Sequence, residues 1–288
     1  MSNLAARVLF AVVAIPVVAA AVYAGGIALA VLLAAAAGLA AWEFYRLAAA
    51  HGMLPLTGIG TALAVIVPLA VDGYRVGIFH PPVFALGAVV VLILLALAIF
   101  ARGAGGHPIE AVSTTVFGVL YTGGMLAFAV GLRYQDYAVG AAAGTALVGL
   151  PLVLTWGTDT AAYFVGRALG RHKLLPSVSP GKTIEGAVGG LAASIALGAA
   201  YVHWVLAPVA RLTMRPPAIL VLAAVVSVAA QLGDLAESLI KREAGAKDSS
   251  RLIPGHGGVL DRLDALLFTL PVTYLALTFP HVLQPALR

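Results

Sequence analysis

The sequence predicts an all-α, polytopic integral membrane protein with about nine transmembrane helices. The 288 residues are 61% hydrophobic and only 10% charged, whereas a soluble domain carries about a quarter charged residues. Crossing the hydrocarbon core of a bilayer as a helix takes roughly 20 apolar residues. The chain offers nine such runs, at about 7–24, 26–45, 58–79, 82–101, 110–132, 140–166, 184–207, 217–240 and 260–281.

The composition and length of these runs argue against a transmembrane β-barrel and a cleaved signal peptide. They are continuous and rich in Ala, Leu and Val, unlike the short alternating strands of a transmembrane barrel. The first run lacks a small-residue cleavage site followed by a polar region, so we interpret it as a span and not as a signal peptide. We therefore predict one transmembrane domain over 1–288, with N-terminal spans at about 7–132 and the spans and loops that carry the polar clusters at about 140–281.

The distribution of Lys and Arg predicts the orientation. With nine spans, the N-terminus shares one side with the loops after spans 2, 4, 6 and 8. Only five of the 17 basic residues fall on the opposite side: Arg75, Arg133, Arg211, Arg215 and Arg288. The positive-inside rule then places the N-terminus, and the polar loops after spans 6 and 8, in the cytoplasm.

The segment 238–264 concentrates charge in a chain that otherwise avoids it. Asp234 lies one turn before Ser238, and an acid within an apolar helix is costly unless it is paired or used. Asp261 begins the next span, so the two acids are predicted to meet around one Mg²⁺, which binds carboxylates together with substrate phosphates. The alternative is that Asp234 pairs with Lys241 or Arg242, and that Asp261 or Asp264 caps a helix.

A second polar cluster joins the end of span 6 to span 7. Asp159 lies within an apolar run, and Ser179, Lys182 and Thr183 precede a helix N-terminus, which is a natural anion site. A Ser/Thr cap partnered by Glu185 explains the same residues without a ligand, and the two interpretations stay open. A P-loop is excluded, because Ser177 stands where its first glycine is required and no strand is predicted before it.

Three further features have plainer interpretations. Glu43 is expected to pair with Arg46 within an interfacial aromatic belt. His256 is the one histidine in a polar cluster, so a zinc site is not expected. Gly186 and Gly190 form a small-residue face on span 7, which favours close helix packing within the chain.

The polar segment resembles the signature of the phosphatidate cytidylyltransferases (CDP-diacylglycerol synthases). The resemblance rests on Ser238, Lys241, Arg242, Lys247, Asp248, Pro254 to Gly258, Asp261, Arg262 and Asp264, with Gly233-Asp234-Leu235 before them and Asp159, Ser179, Lys182, Thr183 and Glu185 upstream. The first 130 residues match the family mainly in hydropathy and around Trp42-Glu43. This similarity implies transfer of CMP from CTP to phosphatidate, giving CDP-diacylglycerol and pyrophosphate in phospholipid synthesis.

The resemblance also implies the cofactor, the partners and the site residues. Mg²⁺ would be held by Asp234 and Asp261, with K⁺ as a further cation. The partners would be CTP, phosphatidate, the lipid bilayer and a second copy of the chain, with no nucleic acid. The compartment would be a bacterial inner membrane, with the site facing the cytoplasm. The expected catalytic residues are Asp234, Asp261, Lys241, Arg242, Lys247, Asp248, His256, Arg262 and Asp264, and the expected substrate-binding residues are Asp159, Ser179, Lys182, Thr183, Glu185, Ser238, Gly257 and Gly258.

Two other functions fit parts of the pattern. Buried acids such as Asp159, Asp234 and Glu43 also occur in secondary transporters, although the sequence shows no internal repeat. A CTP-dependent polyprenol kinase would share the nucleotide and the lipid environment. Release of pyrophosphate and the identity of the lipid product separate these possibilities.

Overall fold

The protein is all-α, with two short antiparallel strand pairs. The computed structural model describes residues 3–80, 82–102, 105–253, 255, 257–279 and 282–286. The helices are α1 (Asn3–Ala24), α2 (Gly26–Ala50), α3 (Thr57–Arg75), α4 (Val83–Arg102), α5 (Pro108–Val119), α6 (Met125–Arg133), α7 (Gly140–Leu169), α8 (Ile184–Tyr201), α9 (Pro216–Glu243) and α10 (Leu260–Thr278). The π-helical segment Leu120–Gly124 joins α5 to α6, and the π-helical segment Val202–Ala210 continues α8. The strands are β1 (Lys173–Leu175), β2 (Ser179–Thr183), β3 (Leu212–Thr213) and β4 (Gln284–Pro285).

The helices follow the predicted apolar runs closely. Within the described residues, seven helices are long and apolar enough to cross a membrane, counting Pro108–Arg133 and Ile184–Ala210 each as one. Helices α1 and α10, which correspond to the first and last predicted spans, are not among the seven. The polytopic all-α architecture is therefore confirmed, while the count of nine spans stays a prediction.

The described chain divides into two compact units. Unit 1 comprises Met1–Pro16, Gly26–Ala127 and Ile240–Arg262. Unit 2 comprises Val17–Gly25, Phe128–Leu239 and Leu263–Arg288. Each unit is thus assembled from segments that are distant in sequence, and the polar signature contributes residues to both.

Unit 1 is built around a buried tyrosine. Tyr45 on α2 is fully buried, and its hydroxyl donates to the carbonyl oxygen of Thr115 on α5 over 2.7 Å. Gly60 and Gly118 lie against the Tyr45 ring, where any Cβ would collide with it. An apolar cluster of Leu56, Leu94, Ala98 and Val112 packs nearby in the same unit. The absence of side chains at the two glycines is what lets α2, α3 and α5 approach the ring.

Unit 2 is held together by close helix approach and buried hydroxyl pairs. A Cβ at Gly186 or Gly190 of α8 would press on the α7 backbone at Ala162 or Thr158, so the predicted small-residue face does mediate packing within the chain. Thr158 donates to Ser227 over 3.2 Å, a hydroxyl contact between α7 and α9. Small and hydroxyl-bearing residues are the usual means of helix association where the surroundings are apolar.

Candidate functional site

Unit 2 contains a cavity of about 540 Å³ that gathers most of the upstream predicted residues. Its lining includes Asp159, Ser179, Lys182, Thr183 and Asp234, together with Tyr163, Arg167 and Gln231. Residues from α7, β2, α8 and α9 therefore meet around one polar space in a chain that is mostly apolar. Tyr163, Arg167 and Gln231 were not among the predicted site residues, although all three lie close in sequence to the predicted acids Asp159 and Asp234.

Lys182 and Asp234 form the central ion pair of this cavity. The lysine Nζ lies 2.7 Å from Asp234 Oδ2, and the two side chains are 24% and 37% exposed. The Ser238 hydroxyl donates to Asp234 Oδ1 over 3.3 Å from one helical turn away. The pair is thus oriented by its neighbours yet still accessible from the cavity.

A β-hairpin, formed by β1 and β2, carries Ser179 and Lys182 to the cavity. The strands are antiparallel, with Lys173 opposite Thr183 and Leu175 opposite Ser179. The prediction of a loop without strands at this position is wrong. A hairpin of this length has no clear alternating pattern, so the sequence gives little indication of it.

Thr183 and Glu185 fix the hairpin to the start of α8. Thr183 is buried and its Oγ1 accepts a hydrogen bond from Gly186 N over 3.1 Å, as an N-cap. Glu185 accepts hydrogen bonds from the backbone N–H groups of Arg171 and His172, and its Oε1 lies 2.6 Å from His172 Nδ1. The capping interpretation therefore holds for Thr183, and these contacts tie Glu185 to the residues that precede the hairpin.

Unit 1 contains a second polar cluster, centred on Asp261. Its Oδ1 lies 2.7 Å from Lys241 Nζ, and the side chains are 6% and 13% exposed. Its Oδ2 accepts from Gly258 N over 2.8 Å and from Ser249 through both the amide, at 3.0 Å, and the hydroxyl, at 2.8 Å. A Cβ at Gly257 would lie 2.8 Å from the same oxygen, and this glycine has a φ of +81°. The glycines of the signature are thus required for the loop to wrap around the carboxylate.

Glu43 from α2 completes the cluster in unit 1. It is fully buried and accepts hydrogen bonds from the loop between α9 and α10 (244–259, the signature loop) and from the first residue of α10. Among the donors are the amides of Val259 at 3.0 Å and Leu260 at 2.7 Å. The Arg46 guanidinium lies over the Trp42 ring, 4.7 Å from its centroid. The predicted pairing of Glu43 with Arg46 is therefore wrong, because Glu43 binds the start of α10 and Arg46 contacts Trp42.

The remaining signature residues are exposed in unit 1, belong to unit 2, or lie outside the described residues. Arg242 donates to the Ala246 carbonyl oxygen over 3.1 Å at the end of α9 and is exposed, as are Lys247, Asp248 and Arg262. Asp264 belongs to unit 2, where its Oδ1 accepts from Ala265 N over 2.8 Å. His256 and Pro254 lie outside the described residues, so the predicted role of His256 stays a prediction.

The acidic side chains of the unit 2 cavity are of the kind that Mg²⁺ binds together with phosphate oxygens. Among the described residues no three His, Cys, Asp or Glu side chains are grouped to hold a metal by themselves. Mg²⁺ commonly takes one or two carboxylates and completes its shell with phosphate oxygens and water. Asp159 and Asp234 line one cavity and offer such a partial set. Because Asp234 and Asp261 belong to different units, the prediction that they share one ion stays a prediction.

Comparison with known proteins finds relatives that are named phosphatidate cytidylyltransferase. The chain is 52% identical over 122 residues to a phosphatidate cytidylyltransferase of Brucella suis biovar 1 (strain 1330), covering 42% of this chain and 43% of the relative. It is 44% identical over 140 residues to that of Haemophilus influenzae (strain ATCC 51907 / DSM 11121 / KW20 / Rd), covering 49% and 48%. It is 44% identical over 125 residues to that of Bacillus subtilis (strain 168), covering 43% and 45%. The matched segments thus span somewhat less than half of these relatives.

A match to a whole-family profile extends over nearly all of the chain. The profile describes the cytidylyltransferase family, and residues 5–279 of this sequence match it. That range includes the cavity of unit 2 and the Asp261 cluster of unit 1. The chain belongs to the cytidylyltransferase family.

Proposed function

We propose that the protein transfers CMP from CTP to phosphatidate and produces CDP-diacylglycerol and pyrophosphate. Membership of the cytidylyltransferase family and the activity for which the three relatives are named support this proposal. The observation that carries it is the cavity of unit 2, where Lys182, Asp159 and Asp234 converge in a chain with only 10% charged residues. A phosphate-handling enzyme needs such a combination of cations and acids, whereas an inert membrane bundle does not.

The reaction needs charge neutralisation more than a strong base. A phosphate monoester oxygen of phosphatidate attacks the α-phosphorus of CTP, the new P–O bond forms, and the bond to pyrophosphate breaks. The attacking phosphate carries close to two negative charges near neutral pH, with a second pKa of about 6. The protein must therefore hold two anions in line and neutralise the charge that develops on the leaving group.

The residues divide this work as follows in our proposal. Lys182 and the Ser179 hydroxyl bind phosphate oxygens in the unit 2 cavity, where both residues line the wall. Asp234, in the cavity of unit 2, would hold Mg²⁺, which would supply neutralisation of phosphate charge. That Asp261 binds the same ion is an expectation from the sequence. Lys241 supports Asp261 through the ion pair of 2.7 Å. When a metal ion binds a carboxylate, the lysine that was paired with that carboxylate becomes available to bind phosphate oxygens. Ion pairs between lysine and an acid therefore suit the binding of a metal ion together with a phosphate.

The exposed cations of the signature are assigned to the nucleotide. Arg242, Lys247 and Arg262 are exposed, and their long cationic side chains suit binding to triphosphate or pyrophosphate oxygens. K⁺ as an additional cation remains an expectation from the family resemblance alone. We further propose that the protein acts as a homodimer in a bacterial inner membrane and that CTP reaches it from the cytoplasm. The excess of Lys and Arg on the predicted cytoplasmic side supports this orientation.

Pyrophosphate release in detergent tests the proposed function. The purified protein is mixed with CTP, phosphatidate and Mg²⁺ in detergent micelles, and pyrophosphate is measured by a coupled assay. We expect pyrophosphate to appear in proportion to CDP-diacylglycerol, with neither formed when phosphatidate is omitted. A transporter would require a sealed compartment and would release no pyrophosphate, and a polyprenol kinase would produce CDP and a phosphorylated lipid. Either of those outcomes would contradict the proposal.

A further inference from the structure

Glu43 is bonded on both oxygens to the signature loop of unit 1, which lies more than 200 residues later in the chain. Oε1 accepts from the Ser250 hydroxyl at 2.5 Å and from Val259 N at 3.0 Å. Oε2 accepts from the Ser249 hydroxyl at 3.0 Å and from Leu260 N at 2.7 Å. An ionised carboxylate has about four acceptor positions, so the four bonds satisfy it. Since Glu43 is 0% exposed, it does not reach a substrate itself.

Ser249 connects this buried acid to Asp261. Its hydroxyl oxygen lies 3.0 Å from Glu43 Oε2 and 2.8 Å from Asp261 Oδ2. A hydroxyl has one hydrogen to donate, so the two carboxylates share it. Moving or removing one carboxylate therefore changes the bond that the other receives.

The N-terminus of α10 provides a second connection. The amides of Val259 and Leu260, which precede Asp261 directly, both donate to Glu43. These N–H groups have no partner within the helix, and a carboxylate is favoured beside them. There is little free space to compensate for a shift, because a Cβ at Gly258 would lie 2.6 Å from Glu43 Oε2. Glu43 thus fixes both the backbone before Asp261 and the hydroxyl that bonds to its side chain.

We propose that Glu43 is a positioning residue for the transfer reaction, and that it acts through Ser249 and the start of α10 to hold the Asp261 carboxylate in one orientation. This inference rests on the proposed function, because it requires that Asp261 takes part in the transfer. Glu43 on α2 thereby contributes to the chemistry of the signature although it is buried itself. Without Glu43, the Asp261 carboxylate would still be present and charged, but its hydrogen bonds and its orientation would change.

Two single variants and the corresponding double variant test this role. In Glu43→Gln, an N–H group faces the amides and hydroxyls of the loop, and in Ser249→Ala the shared hydroxyl is lost. We expect each change to lower kcat, by about 10- to 100-fold, as small misplacements of reacting groups do. KM for CTP and phosphatidate should change far less than kcat. Because the two changes share the contact between Ser249 and Glu43, the loss of kcat in the double variant should be smaller than the product of the two single losses.

Matched controls separate positioning from folding. Ser250→Ala removes a hydroxyl from the same loop that also binds Glu43, and we expect a much smaller effect on kcat than for Ser249→Ala. Asp72→Asn removes a buried acid from the same unit, where Asp72 pairs with Arg75 at 2.7 Å. It should lower the unfolding temperature while kcat per folded molecule stays at the wild-type value.

The possible outcomes are distinguishable. If wild-type protein forms no CDP-diacylglycerol, the proposed function fails and the variants are not needed. If wild-type protein is active but Ser249→Ala and Ser250→Ala have the same kcat, or if Glu43→Gln matches wild type per folded molecule, the positioning role is wrong. If the Glu43→Gln and Ser249→Ala effects multiply in the double variant, the two residues act independently and the connection through Ser249 is wrong. Should Glu43→Gln not fold, the comparison of the two serines still decides.

Discussion

Lys182 Nζ lies 2.7 Å from Asp234 Oδ2 in a cavity of unit 2 that also includes Asp159. The two residues come from a short hairpin and from α9, so the contact joins the two sequence clusters that were recognised separately. A cation and an acid that are both partly exposed can serve as the binding partners of a phosphate and a metal ion. The following predictions test that interpretation and the structural supports around it.

Loss of the Lys182 ammonium should weaken the handling of phosphate. We expect Lys182→Met to lower kcat/KM for CTP or phosphatidate by about 10- to 100-fold, since a hydrogen bond to a charged group contributes about 1.5–3 kcal/mol. Steady-state kinetics with each substrate varied in turn identifies the affected one. Lys173→Met changes an exposed lysine on the other strand of the hairpin and should leave both constants unchanged. Equal effects of the two changes would indicate that the hairpin, and not Lys182, matters.

Asp234 should control the requirement for Mg²⁺. Removing divalent ions with a chelator is expected to stop turnover, and adding Mg²⁺ should restore it. In Asp234→Asn, the Mg²⁺ concentration for half-maximal rate should rise at least tenfold, because the amide lacks the charge that attracts the ion. Asp136→Asn, a change at an exposed acid of the same unit, serves as the control. An unaltered Mg²⁺ dependence in Asp234→Asn would remove this residue from the metal site.

The contact between Gly258 and Glu43 should make Gly258 intolerant of any side chain. An alanine Cβ there would lie 2.6 Å and 2.7 Å from the two Glu43 carboxylate oxygens. We expect Gly258→Ala to reduce the free energy of unfolding by about 1–3 kcal/mol, as overpacking does, and to lower kcat through the displaced loop. Gly58→Ala, where a Cβ meets nothing within 4 Å, should be neutral or slightly stabilising in thermal unfolding. Wild-type stability in Gly258→Ala would show that the loop can move away from Glu43.

Glu185 should determine how firmly the hairpin is held. It binds the amides of Arg171 and His172 just before β1. In Glu185→Ala those amides lose their acceptor, so hydrogen exchange over residues 171–183 should become faster while exchange in α9 does not change. The KM of the substrate bound by Lys182 should rise at the same time. Unchanged exchange in the hairpin would mean that other contacts hold it.

Much of the architecture follows from hydropathy alone. The predicted span at 58–79 is helix α3 even though Pro68 and Asp72 interrupt it, and Asp72 is accommodated by Arg75 one turn later. The run at 140–166 is α7, and it extends three residues further. Such agreement is expected, because length and apolar content are the physical requirements for crossing a bilayer. That α1 and α10 also cross the membrane stays a prediction, because neither is among the seven helices that are long and apolar enough.

The candidate site was only partly predictable. Asp234 and Asp261 were identified because an acid in an apolar run requires an explanation, and both do have lysine partners. The role of Glu43 could not be inferred locally, since its hydrogen-bond partners lie over 200 residues away and Arg46 offered a nearer one. Ser249 and Ser250 were overlooked because serine in a loop carries no distinctive signal. Contacts that depend on tertiary structure leave no local pattern in a single sequence.

The position of the label in the lipid product tests the central claim most directly. CTP labelled on the α-phosphate and CTP labelled on the γ-phosphate are each incubated with the purified protein, phosphatidate and Mg²⁺, and the extracted lipid is counted. We predict that the α-label enters the lipid, that the γ-label stays in water-soluble pyrophosphate, and that Asp261→Asn loses the lipid signal. Transfer of the γ-label to lipid, or full α-label transfer by Asp261→Asn at limiting Mg²⁺, would contradict this account.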